Sequence, residues 1–110
     1  MRRELLDQSK FIKLLSRNGF LAYKVTASKA GVPDIEAIKN GIIYKFESKT
    51  ISGKMSNKQR EYFKIYHLCY LVIKVKDLYW YYGPEELNLD NRETKLIHGG
   101  TYENIKQYKE

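Results

Sequence analysis

With 110 residues, 43% of them apolar and 30% charged, the chain is sized for one domain with a modest core and is too apolar for a disordered polymer. Its net charge of +7 points to an anionic partner, nucleic acid first among them. The single cysteine, Cys69, excludes an internal disulfide and suits a reducing, cytoplasmic location, and no run approaches the ~18 apolar residues of a membrane span.

Residues 2–18 are expected to form the first helix. Leu5, Ile12 and Leu15 recur at helical spacing, Phe11 and Leu14 flank them, and Asn18-Gly19 is a stop signal. Residues 20–26 (FLAYKVT) read as a strand, and Gly31 and Pro33 break the loop that follows. Residues 34–38 and 42–49 read as two strands joined by Asn40-Gly41, a dipeptide that tolerates the positive φ angles of a two-residue hairpin turn. After a second loop, Ser56 is placed to cap a helix running to about His67 or Leu68. Residues 69–76 and 78–82 read as two more strands, the first apolar through its centre and hence buried.

Gly83-Pro84 closes this core. Residues 84–110 are more polar; TKLIH is expected to form a strand and YENIKQY a short helix. The order α-β-β-β-α-β-β predicts an α/β (α+β) fold, a mixed central sheet flanked by helices. Residues 1–83 form its core, and residues 84–110 an extension packed on that core or at a dimer interface. Tyr62, Phe63 and Tyr66 are expected at the core or its edge. Tyr79, Trp80, Tyr81 and Tyr82 put aromatic rings on both faces of one strand, so the C-terminal segment or a second subunit must cover the outer pair.

The charged residues of the hairpin carry the chemistry. In GIIYKFESK, strand alternation places Ile42, Tyr44, Phe46 and Ser48 on one face and Ile43, Lys45, Glu47 and Lys49 on the other. A hairpin centred on Asn40-Gly41 pairs residues whose numbers sum to 81, which sets Asp34 opposite Glu47. Two facing carboxylates repel and call for a cation. A divalent ion with hard oxygen ligands, Mg²⁺ or Mn²⁺, meets that need. Lys49 on the same face is placed to steady charge on a phosphate or to act on a water.

Taken together, NGFLAYK (18–24), GVPD (31–34), FESK (46–49) and SGKMSNKQ (52–59) resemble, in order and spacing, the PD-(D/E)xK nuclease superfamily. The likeness is nearest to the small VRR-NUC-type nucleases of phages and bacteria, with the archaeal Holliday-junction resolvases as cousins. It covers residues 4 to about 76. It implies a restriction-endonuclease-like core, metal-dependent hydrolysis of DNA phosphodiesters, often in branched or flapped DNA, and commonly a homodimer.

On this resemblance Asp34 and Glu47 fall on the metal-binding acids and Lys49 on the catalytic lysine. Gln59 falls on a glutamine that often opens the helix after the core and lies near the active site, which implies a catalytic part for it. Ser56-x-x-Gln59 is also a capping box, which by itself accounts for a glutamine there. The sequence departs from the family in its first helix, where Gln8 stands in place of the usual metal-shell glutamate. Glu4, one turn earlier on the same face, is either its substitute or an ordinary acid favoured by the helix dipole.

Lys24, Ser28 and Lys29 precede Pro33-Asp34, and Lys54, Lys58 and Arg60 surround the start of the second helix; these are the expected contacts to DNA phosphates. Further cations, Lys10, Lys13 and Arg17 among them, decorate the first helix. His67 and His98 lack a second ligand at zinc spacing. The alternatives to an endonuclease are a DNA-binding protein that keeps the fold without catalysis, and a basic surface for a protein partner.

Overall fold

One sheet with two unequal apolar faces organises the chain. The computed structural model describes residues 8–26, 30–49, 56–75 and 77–97. Their order is α1 (Gln8–Arg17), β1 (Leu21–Lys24), β2 (Ile35–Lys39), β3 (Ile42–Ser48), α2 (Asn57–Ile65), β4 (Cys69–Val75), β5 (Leu78–Tyr82) and β6 (Thr94–Leu96). All six strands join one sheet in chain order; β3–β4 and β5–β6 are parallel and the other neighbours antiparallel. This is the mixed α+β sheet expected from the sequence, and β6 adds TKL to its edge. No helix among the described residues is long and apolar enough to cross a membrane. The expected helix at 102–108 lies outside the described residues.

The larger core lies between α1 and one sheet face. Phe11, Leu14 and Leu15 are buried against Ile35, Ala37, Phe46, Tyr70, Val72, Tyr79 and Tyr81. The helix therefore seats the Phe11–Leu14–Leu15 stripe, and Ile12 packs only at its margin. Phe11 meets Phe46 edge-on at 5.4 Å and Tyr79 at 5.1 Å, favourable geometry for aromatic pairs. Asn18 ends the helix by donating from Nδ2 to the Leu14 carbonyl at 2.7 Å, and Gly19 follows at φ 91°.

The second face is covered toward β4 and β5, where Leu71, Ile73 and Ile97 are buried with Phe63 of α2, Trp80 and Tyr82 beside them. The outer aromatics of β5, Trp80 and Tyr82, are half-buried there. Between Gly83 and Ile97 the chain returns to the core at Leu87. Leu87 is buried, and its N–H donates to the Tyr81 hydroxyl at 2.9 Å.

Asn40 at φ 54° and Gly41 at φ 76° make the left-handed pair of a tight hairpin turn. The β2–β3 register follows from it: Ile35 faces Phe46, Glu36 faces Lys45 and Ala37 faces Tyr44. Several boundaries differ from the sequence expectation; β1 spans Leu21–Lys24 rather than 20–26, and three others bear on the site. β2 starts at Ile35 rather than Asp34, because the Asp34 carboxylate is engaged by Ser48. β3 ends at Ser48, although the Lys49 N–H still donates to the Val72 carbonyl at 3.0 Å. α2 stops at Ile65, short of His67, because the Leu68 carbonyl accepts from Lys45 N–H at 2.8 Å and opens the β3–β4 ladder.

The loop before Asp34 is pinned against α2. Gly31 has φ 86°, and a Cβ there would lie 2.6 Å from Lys58 Cβ and 2.8 Å from its backbone carbon. A Cβ on Gly41 would meet nothing within 4 Å. Gly41→Ala should therefore lose only the left-handed backbone preference, about 1–2 kcal/mol. Gly31→Ala adds a backbone clash to that strain and should cost roughly 1–3 kcal/mol more. Denaturant unfolding of the two variants measures the difference.

Candidate active site

The antiparallel β2–β3 hairpin sets the start of β2 beside the C-terminal end of β3, where Gln8 of α1 and Gln59 of α2 also meet the sheet. Asp34 sits just before β2, and its backbone carbonyl accepts from Val25 N–H at 2.9 Å. Its Oδ1 accepts from Ser48 N–H at 3.1 Å, and its Oδ2 accepts from Ser48 Oγ at 2.8 Å and from Gln8 Nε2 at 2.9 Å. Gln8 Nε2 also donates to Ser48 Oγ at 3.0 Å. Gln8, Asp34 and Ser48 thus form one network tying α1 to the hairpin.

Glu47 points from the other sheet face toward α2 and is only 6% exposed. Its Oε2 accepts from Gln59 Nε2 at 2.9 Å. The same Gln59 side chain closes the capping box: its Oε1 accepts from Ser56 N–H at 2.9 Å while Ser56 Oγ accepts from Gln59 N–H at 3.1 Å. One amide therefore performs both roles that the sequence left open. It caps α2 and holds Glu47.

The electrostatics join the two halves. Burial, and after it the charge of the Asp34 carboxylate, push the Glu47 carboxyl up to about 8, with Lys49 opposing the rise. Burial also raises the Asp34 carboxyl, against the hydrogen bonds from Ser48 and the charge of Lys49. Asp34, Glu47 and Lys49 therefore act on one another, although the two carboxylates take their hydrogen bonds from opposite sides of the sheet. Lys45 is engaged elsewhere, 2.9 Å from Glu36 and 4.7 Å above the Tyr66 ring.

Two buried side-chain oxygens of this site accept no hydrogen bond, Glu47 Oε1 and Gln8 Oε1. An unsatisfied buried polar atom costs about 1–3 kcal/mol, more when charged. Together with the Asp34 carboxylate they make an oxygen-only donor set of the kind that suits a hard divalent cation. Asp34 and Glu47 are the residues that could hold such an ion, with Gln8 as a neutral third donor.

Of the remaining candidates, Lys24 is exposed on β1, where it pairs with Ile35 beside Asp34. Lys58 is exposed at the start of α2, 3.7 Å from Glu61, and Arg60 is exposed two residues on. Glu4, Ser28, Lys29 and Lys54 lie outside the described residues. Sequence reasoning missed Ser48, the middle residue of E-S-K. Its signal was a hydroxyl ending the otherwise apolar row Ile42, Tyr44, Phe46. It also missed Gly31, whose role is a tertiary approach to α2. In comparisons with known proteins, no family model, curated protein or solved structure shows a significant match to this chain.

The raised Glu47 carboxyl sets a pH dependence. The folded metal-free protein holds this proton more tightly than the unfolded chain does. Stability from this group is therefore full below about 4.5 and is lost as pH rises toward about 8. The melting temperature of the metal-free protein should fall between pH 5 and pH 9, and Glu47→Gln should flatten much of that fall. At pH 8.5, Mg²⁺ at a hundred times its Kd should restore about 2.7 kcal/mol to the wild type and far less to Glu47→Gln. Thermal unfolding monitored by circular dichroism checks all three.

Proposed function

We propose that this protein is a divalent-metal-dependent DNA endonuclease with a restriction-endonuclease-like core, hydrolysing phosphodiester bonds. The observation that carries the reading is Glu47: a nearly buried carboxylate with one oxygen unpartnered, next to the charge of a second carboxylate and of Lys49. A purely structural acid would have both oxygens satisfied, or would be replaced at little loss by an apolar side chain.

When bound, Mg²⁺ or Mn²⁺ supplies the positive charge that keeps both carboxylates ionised, polarises a phosphate oxygen and makes a nearby water more acidic. The chain's own groups do the rest. Ser48 and Gln8 hold the Asp34 carboxylate in one orientation, and Gln59 does the same for Glu47, leaving Oε1 directed into the site. The Lys49 ammonium stabilises the charge that builds on the phosphate in the transition state. Exposed Lys24, Lys58 and Arg60 hold flanking phosphates through the salt-sensitive backbone interaction. Branched DNA is the proposed substrate class. A homodimer would present two such centres for cutting two strands symmetrically.

The non-catalytic DNA-binding reading has one observation in its favour. Gln8 donates a hydrogen bond to Asp34, so a neutral amide already occupies part of that carboxylate.

Incubation with a four-way junction, a flap and a plain duplex, in Mg²⁺ or in EDTA, separates the two readings. The endonuclease reading predicts Mg²⁺-dependent cutting that Asp34→Asn lowers at least ~10³-fold while DNA affinity changes by less than about threefold. Tight binding with no cutting in either condition would establish the non-catalytic reading instead.

A further inference from the structure

A second electropositive feature lies on the α1 side of the sheet, outside the site just described. A cleft of about 210 Å³ opens between α1 and the β4–β5 hairpin. Lys10, Lys13 and Arg17 line it from the helix, Lys74 and Asp77 from the hairpin, and Glu93 from the segment before β6. Four cations and two carboxylates leave an excess of two positive charges in a small volume. Arg17 is committed to Glu93, with Nη2 at 2.8 and 3.0 Å from the two carboxylate oxygens. Lys74 Nζ stands 5.4 Å from the centre of the Tyr79 ring, which forms part of the wall and holds the ammonium at the mouth.

The position of the cleft is as informative as its charge. Gln8, the first described residue of α1, is bonded to Asp34, so Lys10 lies within one turn of the candidate site. β4 runs parallel to β3 with Val72 beside Ser48, which places Lys74 two residues further toward the same sheet edge. Lys10, Lys13 and Arg17 follow an i, i+3, i+7 stripe about 10 Å long. A DNA strand advances about 3.4 Å of helix axis per phosphate, so a stripe aligned with that axis spans roughly three phosphates. The volume is below the roughly 300–1,000 Å³ of pockets that enclose organic ligands. It suits a phosphate group and not a nucleobase with its sugar.

We propose that this cleft is a second phosphate site, one that holds the nucleic-acid backbone along α1 as it leaves the carboxylate pair. The inference rests on the nucleic-acid reading above and widens the footprint beyond Lys24, Lys58 and Arg60. The chemistry it recognises is a phosphate oxyanion; a polynucleotide and free inorganic phosphate are the two possible sources, and the test separates them.

The test compares wild type with Lys13→Glu/Lys74→Glu and with Lys64→Glu/Lys95→Glu, a control pair on exposed lysines outside the cleft with the same change of net charge. Affinity for a fluorescent oligonucleotide is measured in EDTA across a salt series. The cleft pair should weaken binding roughly tenfold beyond the control and lower the slope of log K against log salt by about two. The neutral pair Lys13→Gln/Lys74→Gln should move both readouts in the same direction by a smaller amount. Equal losses in the cleft and control pairs would overturn the inference while leaving the endonuclease reading intact, which is judged separately by the Asp34→Asn cleavage result. No wild-type affinity for DNA at low salt would overturn both. In that case a phosphate-induced shift of the Lys13 and Lys74 NMR signals would assign the cleft to the free ion, against the polynucleotide proposed.

Discussion

Everything in this structure that bears on function turns on the burial of Glu47 next to Asp34. Burial raises the proton affinity of both carboxyls, and the charge of Asp34 raises that of Glu47 as well. A fold tolerates that arrangement only if a cation or a proton neutralises it. Among the described residues, Lys49 opposes the rise at both acids. It offsets the repulsion in part, since the Glu47 carboxyl still stands near 8. The unpartnered Oε1 of Glu47 marks where the compensation is incomplete.

The rest of the architecture serves to hold that unfavourable pair in place. α1 packs through Phe11, Leu14 and Leu15 on one sheet face and delivers Gln8 to Asp34 from its first turn. α2 lies on the other face through Phe63 and delivers Gln59 to Glu47 from its capped start. The two acids are thus braced by amides from opposite sides of the sheet, and the hairpin between them transmits the constraint. Gly31 completes the frame by letting the loop before Asp34 lie directly on the backbone of α2. Amides are apt braces, because they donate hydrogen bonds to a carboxylate without adding charge to a site already short of balance.

Much of this was legible in the sequence, and the reasons differ by element. Asn40-Gly41 specified a turn, the turn specified a register, and the register placed the start of β2 against the end of β3. Strand alternation then assigned Glu47 to a face correctly. It misled about how the site closes. Facing Asp34 directly against Glu47 assumed that Asp34 continues the strand, whereas its short side chain bonds the backbone and hydroxyl of Ser48 instead. Attention to charge also passed over Ser48 itself. The α1 stripe was centred on Ile12 rather than Phe11 and Leu14, since spacing alone does not say which of two adjacent apolar rows meets the sheet. The phosphate cleft was out of reach of the sequence, because it depends on where the β4–β5 hairpin lies beside the helix.

The central claim is that Asp34 and Glu47 together hold a divalent cation, and calorimetric titration of the protein with Mn²⁺ tests it most directly. At pH 7 the bound ion must displace the proton that Glu47 holds in its absence, so titrations in buffers of different ionisation enthalpy report proton release. The account predicts one saturable site per chain that releases close to one proton, the release shrinking as the pH rises past about 8. It predicts that Glu47→Gln abolishes both the binding and the release. Binding of equal strength in wild type and Glu47→Gln, or binding with no proton released, would contradict it.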